Sequence, residues 1–228
     1  MAIYAIGDLH LSVAAKKPMD IFSGWDNHAD KLQENWNKKI KADDTVILAG
    51  DTSWGMSLPQ AVPDFRLIHN LPGQKIILKG NHDYWWSSLT KMNTVLEEHG
   101  LTSIRFLHNN SYFVEGLHLC GSRGWIFESG QPHDEKIIRR EALRIEASLK
   151  SRGSQPGETV LFLHYPPMFA GQTLEPFLEI MHRYGVRRCY YGHIHGPAHK
   201  YAIQGKVRGI DFYMISSDYI EFDPIRIG

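Results

Sequence analysis

One pattern constrains this chain more than any other: short apolar runs rich in β-forming residues end in glycine or in a polar, metal-ligand type of residue. The runs and their endings are Ile3–Ile6 before Gly7-Asp8-Leu9-His10, Val46–Ala49 before Gly50-Asp51, Lys75–Leu78 before Gly80-Asn81-His82-Asp83, Val160–Leu163 before His164, and Arg188–Tyr191 before Gly192-His193-Ile194-His195. Such runs are typical of buried strands. The carboxyl ends of strands in an open α/β sheet line the ligand crevice, so we expect these polar groups to converge at one edge.

The rest of the chain alternates further strand patterns with helical ones. Additional strands are predicted at Ile104–Leu107, Tyr112–Val114, Leu117–Cys120, Phe212–Ile215 and Tyr219–Phe222. Helices are predicted over 29–41, Leu89–Leu96, 134–150 and Glu175–Tyr184, where apolar residues recur about every four positions. This alternation predicts an α/β fold, and a length of 228 residues fits a single domain covering 1–228.

Charge and composition argue against several classes of partner. The 25 basic and 25 acidic side chains cancel, which makes nucleic acid or an anionic membrane surface an unlikely partner. The chain has no long apolar run and no signal-peptide pattern at its start, so we expect a cytoplasmic protein without a membrane span. Cys120 and Cys189 form no CxxC pair, and we expect two reduced, buried thiols.

The residue types at the strand ends indicate which chemistry they can support. Carboxylates, imidazoles and an amide, without thiolate, suit divalent ions such as Mn, Fe, Zn or Ni. The set holds more ligands than one tetrahedral ion needs, so two ions are predicted rather than one. Two neighbouring ions can clamp a phosphoryl group and lower the pKa of a water molecule.

The order of these motifs resembles the calcineurin-like metallophosphoesterase superfamily. The motifs Asp-x-His, Gly-Asp, Gly-Asn-His-Asp, isolated His and Gly-His-x-His occur in that order across residues 7–196. Flanking stretches, among them His164-Tyr165-Pro166-Pro167, look like a bacterial branch of predicted phosphohydrolases. The resemblance implies a four-layer α/β/β/α sandwich with a pair of mixed β-sheets, and a phosphoesterase acting on a small phosphate ester.

The resemblance also implies a role for each matching residue. One ion would be held by Asp8, His10 and His195, the other by Asn81, His164 and His193, and Asp51 would bridge both ions. A hydroxide bridging the metals would attack phosphorus. His82 would contact the phosphate without binding metal, and would protonate the leaving oxygen.

One departure from the family pattern narrows the substrate. The phosphoprotein phosphatase branch carries an acid and an arginine three and four residues after the bridging aspartate, where this chain has Trp54 and Gly55. This argues against a protein phosphatase and removes the usual partner of His82. Arg123, which lies between two glycines after a strand, is a candidate for the missing phosphate contact.

Several alternatives stay open at the level of sequence. Phosphomonoesterase and phosphodiesterase activities both fit the motifs, as do a nuclease or nucleotide-binding module and a metal-free scaffold of the same fold. The oligomeric state is not predicted. Asp83 is expected to tie its turn together or to start a helix. The segment Leu11–His28 is expected to form an irregular flap, and most loop aromatics are expected to pack, with Trp25 or Trp54 the first to face substrate.

Overall fold

The computed structural model describes residues 1–125 and 135–228. The strands are β1 (Ile3–Ile6), β2 (Thr45–Leu48), β3 (Gln74–Leu78), β4 (Ile104–Leu107), β5 (Ser111–Val114), β6 (Leu117–Ser122), β7 (Glu158–Leu163), β8 (Met168–Phe169), β9 (Gln172–Thr173), β10 (Arg188–Tyr191), β11 (Gly205–Val207), β12 (Ile210–Met214) and β13 (Ile225–Arg226). The α-helices are α1 (His28–Lys39), α2 (Leu58–Asn70), α3 (Leu89–Glu98), α4 (Glu135–Lys150) and α5 (Glu175–Arg183), and a 3-10 helix covers Gly196–Tyr201.

The strands form two mixed sheets. The first has the order β13-β1-β2-β3-β4, in which β1 to β4 are parallel and β13 runs antiparallel beside β1. The second has the order β11-β12-β10-β7-β6-β5, with parallel central strands and antiparallel strands at both edges. The hairpin of β8 and β9 is separate from both.

Alternating side chains on the strands build three apolar layers. In β1, Ile3 and Ala5 point into the core between the two sheets, whereas Ile6 points towards helices α1 to α3. In β7 the alternation is repeated: Phe162 lies between the sheets and Leu161 packs towards α4 and α5. Because side chains alternate along a strand, each sheet contributes one face to the core between the sheets and its other face to a core shared with helices. The layers are therefore α/β/β/α, which confirms the predicted fold class.

The predicted helices are found close to their expected positions. The segment 29–41 corresponds to α1, Leu89–Leu96 to α3, 134–150 to α4 and Glu175–Tyr184 to α5. Residue 134 lies outside the described residues. The expectation that residues 1–228 form one domain stays a prediction.

Helix α2 was missed by the sequence analysis because it carries two prolines. Pro59 lies in the first turn, where its missing N–H costs nothing, but Pro63 lies inside the helix and removes a backbone hydrogen bond. The helix continues because Ala61, Phe65 and Ile68 are fully buried in the core shared with α1 and α3. Burial therefore outweighs the low helix propensity of this segment.

The predicted strand Tyr219–Phe222 is wrong. The amides of Tyr219 and Ile220 donate to the Ser216 carbonyl at 3.0 and 3.1 Å, so these donors serve a local turn rather than a sheet. Phe222 has a positive φ of 57° and is buried against Trp25, with ring centroids 5.1 Å apart. The apolar residues that suggested a strand thus pack as part of a compact turn.

Two further expectations concern the thiols and the membrane. Cys120 and Cys189 are both buried and unpaired, as predicted. Burial raises the pKa of Cys120 to about 12. Within the described residues, no helix combines the length and apolar character needed to cross a bilayer.

Candidate metal centre

The polar endings of β1, β2, β3, β7 and β10 meet where the carboxyl ends of the two sheets come together. Backbone hydrogen bonds continue beyond the strands and hold these loops side by side. The amide of Asp8 donates to the Gly50 carbonyl at 2.9 Å, and the amide of His10 donates to the Asp51 carbonyl at 2.9 Å. The convergence expected from the strand endings is therefore present.

The first group of possible ligands consists of Asp8, His10 and His195. Each offers one ligand atom, and these atoms all lie within 4.8 Å of one another. Asp8 Oδ1 and His195 Nε2 are 3.5 Å apart. Asp8 and His10 are buried, and His195 is partly exposed, so the group lies at the wall of the site rather than on an open surface.

The second group consists of Asp51, His164 and His193, whose ligand atoms also lie within 4.8 Å of one another. Asn81 belongs beside this group, because its Oδ1 lies 2.6 Å from His164 Nε2. The two groups and Asn81 are the seven residues predicted as metal ligands, and the structure brings them together. That they bind metal, and that Asp51 bridges two ions, stay predictions.

Asp51 has one carboxylate oxygen near both groups. Its Oδ2 lies 3.8 Å from His10 Nε2 in the first group and 3.5 Å from His164 Nε2 in the second. Its other oxygen, Oδ1, accepts the backbone N–H of His82 at 2.7 Å, which fixes the orientation of the carboxylate. This is the position that a bridging ligand requires.

The hydrogen bonding of His164 tests whether these residues suit a cation. Its Nδ1 lies 3.1 Å from the Ala49 carbonyl oxygen and its Nε2 lies 2.6 Å from Asn81 Oδ1, so both ring nitrogens face acceptors. Burial lowers the pKa of His164, so its ring is neutral and carries a single N–H. The ring nitrogen without a hydrogen therefore presents its lone pair to an oxygen. A cation shared by His164 Nε2 and Asn81 Oδ1 would satisfy both of these atoms.

The charges of the group favour the same conclusion. Burial and the nearby charge of Asp8 raise the pKa of Asp51 well above its ordinary value. Burial, followed by the neighbouring His164, lowers the pKa of His193 to about 3, which leaves this imidazole neutral and able to coordinate. The raised pKa of Asp51 indicates a buried carboxylate without sufficient counter-charge, which a divalent cation would supply. The donor set fits bound metal.

Backbone conformation at the ligands is unusual. Asp8, Asp51 and His193 have positive φ values of 59°, 49° and 73°, in the left-handed region that non-glycine residues rarely adopt. Strain of this kind persists only where the surrounding structure enforces it, and it concentrates at functional sites. The strand ends here turn sharply enough to direct the side chains of the loops into one space.

Gly80 and Gly192 are required by close approach to the ligands. A Cβ atom on Gly80 would lie 2.1 Å from Asp51 Oδ1, and one on Gly192 would lie 2.4 Å from Asp8 Oδ2. Both distances are far below van der Waals contact, so no other residue fits without displacing a carboxylate. This explains why glycine precedes the polar residues in these motifs.

The family model for calcineurin-like phosphoesterases matches residues 1–197, a range that contains every ligand in both groups. The chain belongs to the calcineurin-like phosphoesterase family. The predicted resemblance is confirmed. Membership of this family implies metal-dependent hydrolysis of phosphoesters, which agrees with the donor set.

Solved structures support the fold. The protein TT1561 of Thermus thermophilus is 14% identical to this chain, with a TM-score of 0.56 over 99% of this chain and 97% of that one. A protein of unknown function, AQ665 from Aquifex aeolicus, is 17% identical over 99% of this chain and 95% of that one, with a TM-score of 0.49. At such identities the first likeness shows a shared fold alone, and the second carries no argument. A search of curated proteins gave no match.

Asp83, in the Gly-Asn-His-Asp motif of this calcineurin-like phosphoesterase, ties two site loops together. The fully buried carboxylate accepts backbone N–H groups from the loop after β2 and from its own loop, together with an indole N–H. The donors are Asp51 at 2.9 Å, Thr52 at 2.9 Å, Ser53 at 3.3 Å, Gly80 at 2.7 Å and Trp85 Nε1 at 3.0 Å. The predicted turn-forming role is confirmed, and it extends to the loop that presents Asp51.

Asp218, which the sequence analysis missed, contacts one of the candidate ligands. Its Oδ1 lies 2.8 Å from His195 Nδ1, and its Oδ2 accepts the Gly196 N–H at 2.9 Å. Burial opposes charging of His195, but the carboxylates of Asp8 and Asp218 raise its pKa to about 10. A carboxylate that holds one imidazole nitrogen directs the other towards a metal, so Asp218 orients His195.

His82 lies beside the ligands rather than among them. Its ring centroid is 5.8 Å from that of His10 and 4.6 Å from that of Trp54, and its Nδ1 lies 3.4 Å from the Tyr84 hydroxyl. No carboxylate of the described residues forms a hydrogen bond with the ring, in line with the substitution of Trp54 for the acid of protein phosphatases. Burial, and then the neighbouring His164, lower the pKa of His82.

Arg123 lies next to the site, but its side chain faces a different group. Its guanidinium Nη2 lies 3.5 Å from Oε1 of the fully buried Glu141, an oxygen that also lies 2.5 Å from Arg144 Nη1. Its main-chain carbonyl accepts the His164 N–H at 3.1 Å and so supports that ligand's strand end. A contact between Arg123 and a phosphate group stays a prediction.

Proposed function

We propose that this protein is a hydrolase that cleaves phosphate esters at a centre of two divalent metal ions. Asp8, His10 and His195 would hold one ion, Asn81, His164 and His193 would hold the other, and Asp51 would belong to both. The observation that carries this proposal is the position of Asp51 Oδ2, 3.8 Å from a ligand nitrogen in one group and 3.5 Å from a ligand nitrogen in the other.

Bound ions would polarise the phosphoryl oxygens and activate water as the nucleophile. The donor set is compatible with Mn, Fe, Zn or Ni. The chain itself supplies the geometry: Asp83 fixes the loop that carries Asp51, and Asp218 fixes His195. Asp83 and Asp218 would act by positioning the ligands. Ligands held in place lower the reaction barrier because they orient the reacting atoms.

We assign to His82 the role of a hydrogen-bond donor to the phosphate or to the leaving oxygen. Its ring lies beside His10 and is partly exposed, so a substrate held by the ligands would lie within its reach. The absence of a carboxylate partner among the described residues favours the neutral imidazole. In that form the ring donates one hydrogen bond, whereas protonation of the leaving oxygen would require the imidazolium form, and a pH–rate profile distinguishes the two.

The proposal is tested by loading purified protein with Mn²⁺, Ni²⁺, Zn²⁺ or Mg²⁺ and measuring both bound metal and hydrolysis of an aryl phosphate monoester, a diester and nucleotides. We expect two ions per chain and metal-dependent turnover of at least one ester. Asp51→Asn should lose metal from both positions because it weakens the shared ligand. Fewer than one ion per chain in the wild-type protein would favour a metal-free scaffold, and intact double occupancy with full activity in Asp51→Asn would contradict the shared role of this residue.

A further inference from the structure

A cavity of about 360 Å³ opens directly beside the candidate metal centre. One part of its wall is formed by three imidazoles that the site already contains, those of His10, His82 and His195. The remaining wall is mostly apolar, with side chains from the flap, from the loop after β2 and from the 3-10 helix: Met19, Phe22, Trp25, Trp54 and Pro197. A group attached to a phosphate at the metal centre would extend into this space.

The aromatic part of the wall is held rigidly in place. Trp25 is only 3% exposed and packs edge-on against Phe222 at 5.1 Å. Trp54 stacks on the His10 ring at 4.9 Å and lies with its Nε1 3.3 Å from Met19 Sδ. Because the wall is already ordered, little conformational entropy is lost when a ligand binds. Most small-molecule sites are preformed in this way.

The rim of the cavity carries an apolar side chain that is partly exposed. Phe22 is 51% exposed, although the flap around it contributes the buried Met19 and Trp25. An exposed aromatic residue at the mouth of an apolar cavity is a surface that a bound ring would cover. The segment Leu11–His28 supplies three of the apolar groups that line the cavity, and its role as a flap stays a prediction.

The charges around the cavity restrict what it can accept. Among the described residues that line it there is no lysine or arginine, and the single carboxylate, Asp218, is occupied by His195 and Gly196. A cation lies beside this lining, because Lys17 Nζ is 4.5 Å from the centroid of the Trp54 ring. A polar sugar chain would leave its hydroxyl groups facing indole and thioether surfaces, at a cost for each lost hydrogen bond.

We propose that this cavity binds the alcohol part of the substrate and that this part carries an aromatic ring, so that the preferred substrates are ring-bearing phosphate esters. The inference rests on the proposed function, because it takes the metal centre as the binding site of the phosphate. In the reaction, water adds to phosphorus, the ester P–O bond breaks, and the freed alcohol takes up a proton and leaves from the aromatic cavity.

Benzyl phosphate and glycerol 3-phosphate test the proposal, because both have alkyl leaving groups and the same phosphate charge. With the metal-loaded protein we expect kcat/KM for benzyl phosphate to exceed that for glycerol 3-phosphate by about 10-fold, the effect of stacking one ring. Phe22→Ala should raise KM for benzyl phosphate about 3-fold to 10-fold and leave glycerol 3-phosphate unchanged. Phe113→Ala, which removes another exposed phenylalanine, on β5, is the matched control and should change neither.

A binding measurement separates this inference from the proposed function. Calorimetric titration of the metal-loaded protein with benzylphosphonate and methylphosphonate compares ring and methyl groups without any hydrolysis. Tighter binding of benzylphosphonate supports the ring cavity even if no ester is cleaved. Hydrolysis of both esters with equal kcat/KM, or a Phe22→Ala variant that treats them as the wild type does, would overturn the inference and leave the hydrolase proposal standing.

Discussion

Replacement of Gly80 by alanine gives a sharp test of how the site is built. The added methyl group would lie 2.1 Å from Asp51 Oδ1 and 2.2 Å from the Asp51 backbone nitrogen. To restore a separation of 3.0 Å, the Asp51 segment must move by about 0.9 Å. A shift of that size disturbs the hydrogen bonds from His82 N–H to Asp51 Oδ1 at 2.7 Å and from Asp51 N–H to Asp83 Oδ2 at 2.9 Å.

The expected magnitude follows from these contacts. Overpacking costs about 1–3 kcal/mol, and a hydrogen bond to a charged group contributes about 1.5–3 kcal/mol. We therefore expect Gly80→Ala to lower the free energy of unfolding by about 3–5 kcal/mol, to be measured by urea denaturation. The bridging carboxylate would also be displaced, so less than two equivalents of metal should remain after Mn²⁺ loading and gel filtration.

Gly7→Ala is the matched control, because Gly7 also ends a site strand but has room for a methyl group. Its nearest neighbour would be the Ala49 Cβ at 3.4 Å, an ordinary contact. An alanine there restricts the unfolded chain and should leave stability equal or raise it by up to about 1 kcal/mol. If Gly80→Ala matched Gly7→Ala in stability and metal content, the argument from close approach would be wrong.

Three other predictions concern the ligand support, the proton donor and the thiols. Asp218→Asn should weaken metal binding about 10- to 100-fold in a chelator competition. The control Asp43→Asn, the same change at an exposed carboxylate, should have no effect. Equal metal affinities of the two variants would remove Asp218 from the site. His82→Ala should keep its metal but lose about 10²–10⁴-fold in turnover rate, and loss of metal instead would identify His82 as a ligand. Cys120 and Cys189 are buried, and burial raises the pKa of both thiols. A thiol reagent at pH 8 should therefore label neither cysteine in the folded protein and both in urea. Rapid labelling of the native protein would contradict their burial.

The convergence of the candidate ligands was largely predictable because its signal is local and repeated. A strand that ends in glycine followed by Asp, Asn or His requires only the residues next to one another in sequence, and parallel strands bring their ends to one edge. The grouping of the ligands, by contrast, came from the family resemblance and not from spacing. The structure places Asp51 between the groups through contacts with His10 and His164, which are 41 and 113 positions away in the printed sequence.

The features that escaped prediction depend on contacts distant in sequence. Helix α2 contains Pro63 and is stabilised by Phe65 in a core to which α1 and α3 contribute. Asp218 follows β12 and meets His195 only because β12 and β10 are neighbours in the second sheet. A signal for it existed, since the predicted strand Phe212–Ile215 runs into Ser-Ser-Asp. The apolar residues of the following turn also fit a strand pattern, and they hid this signal for Asp218.

The distribution of the ligands along the chain has a consequence for how the protein acquires metal. Asp8 lies at the end of the first strand and the His193 amide donates to it across 185 positions, while Asp51 and His164 belong to different sheets. Neither half of the chain alone contains a complete group of ligands. Metal bound at the proposed centre would therefore need both sheets to be docked, and its binding energy would stabilise the folded molecule. Refolding with or without Mn²⁺ should then proceed at the same rate, while the loaded protein should unfold more slowly.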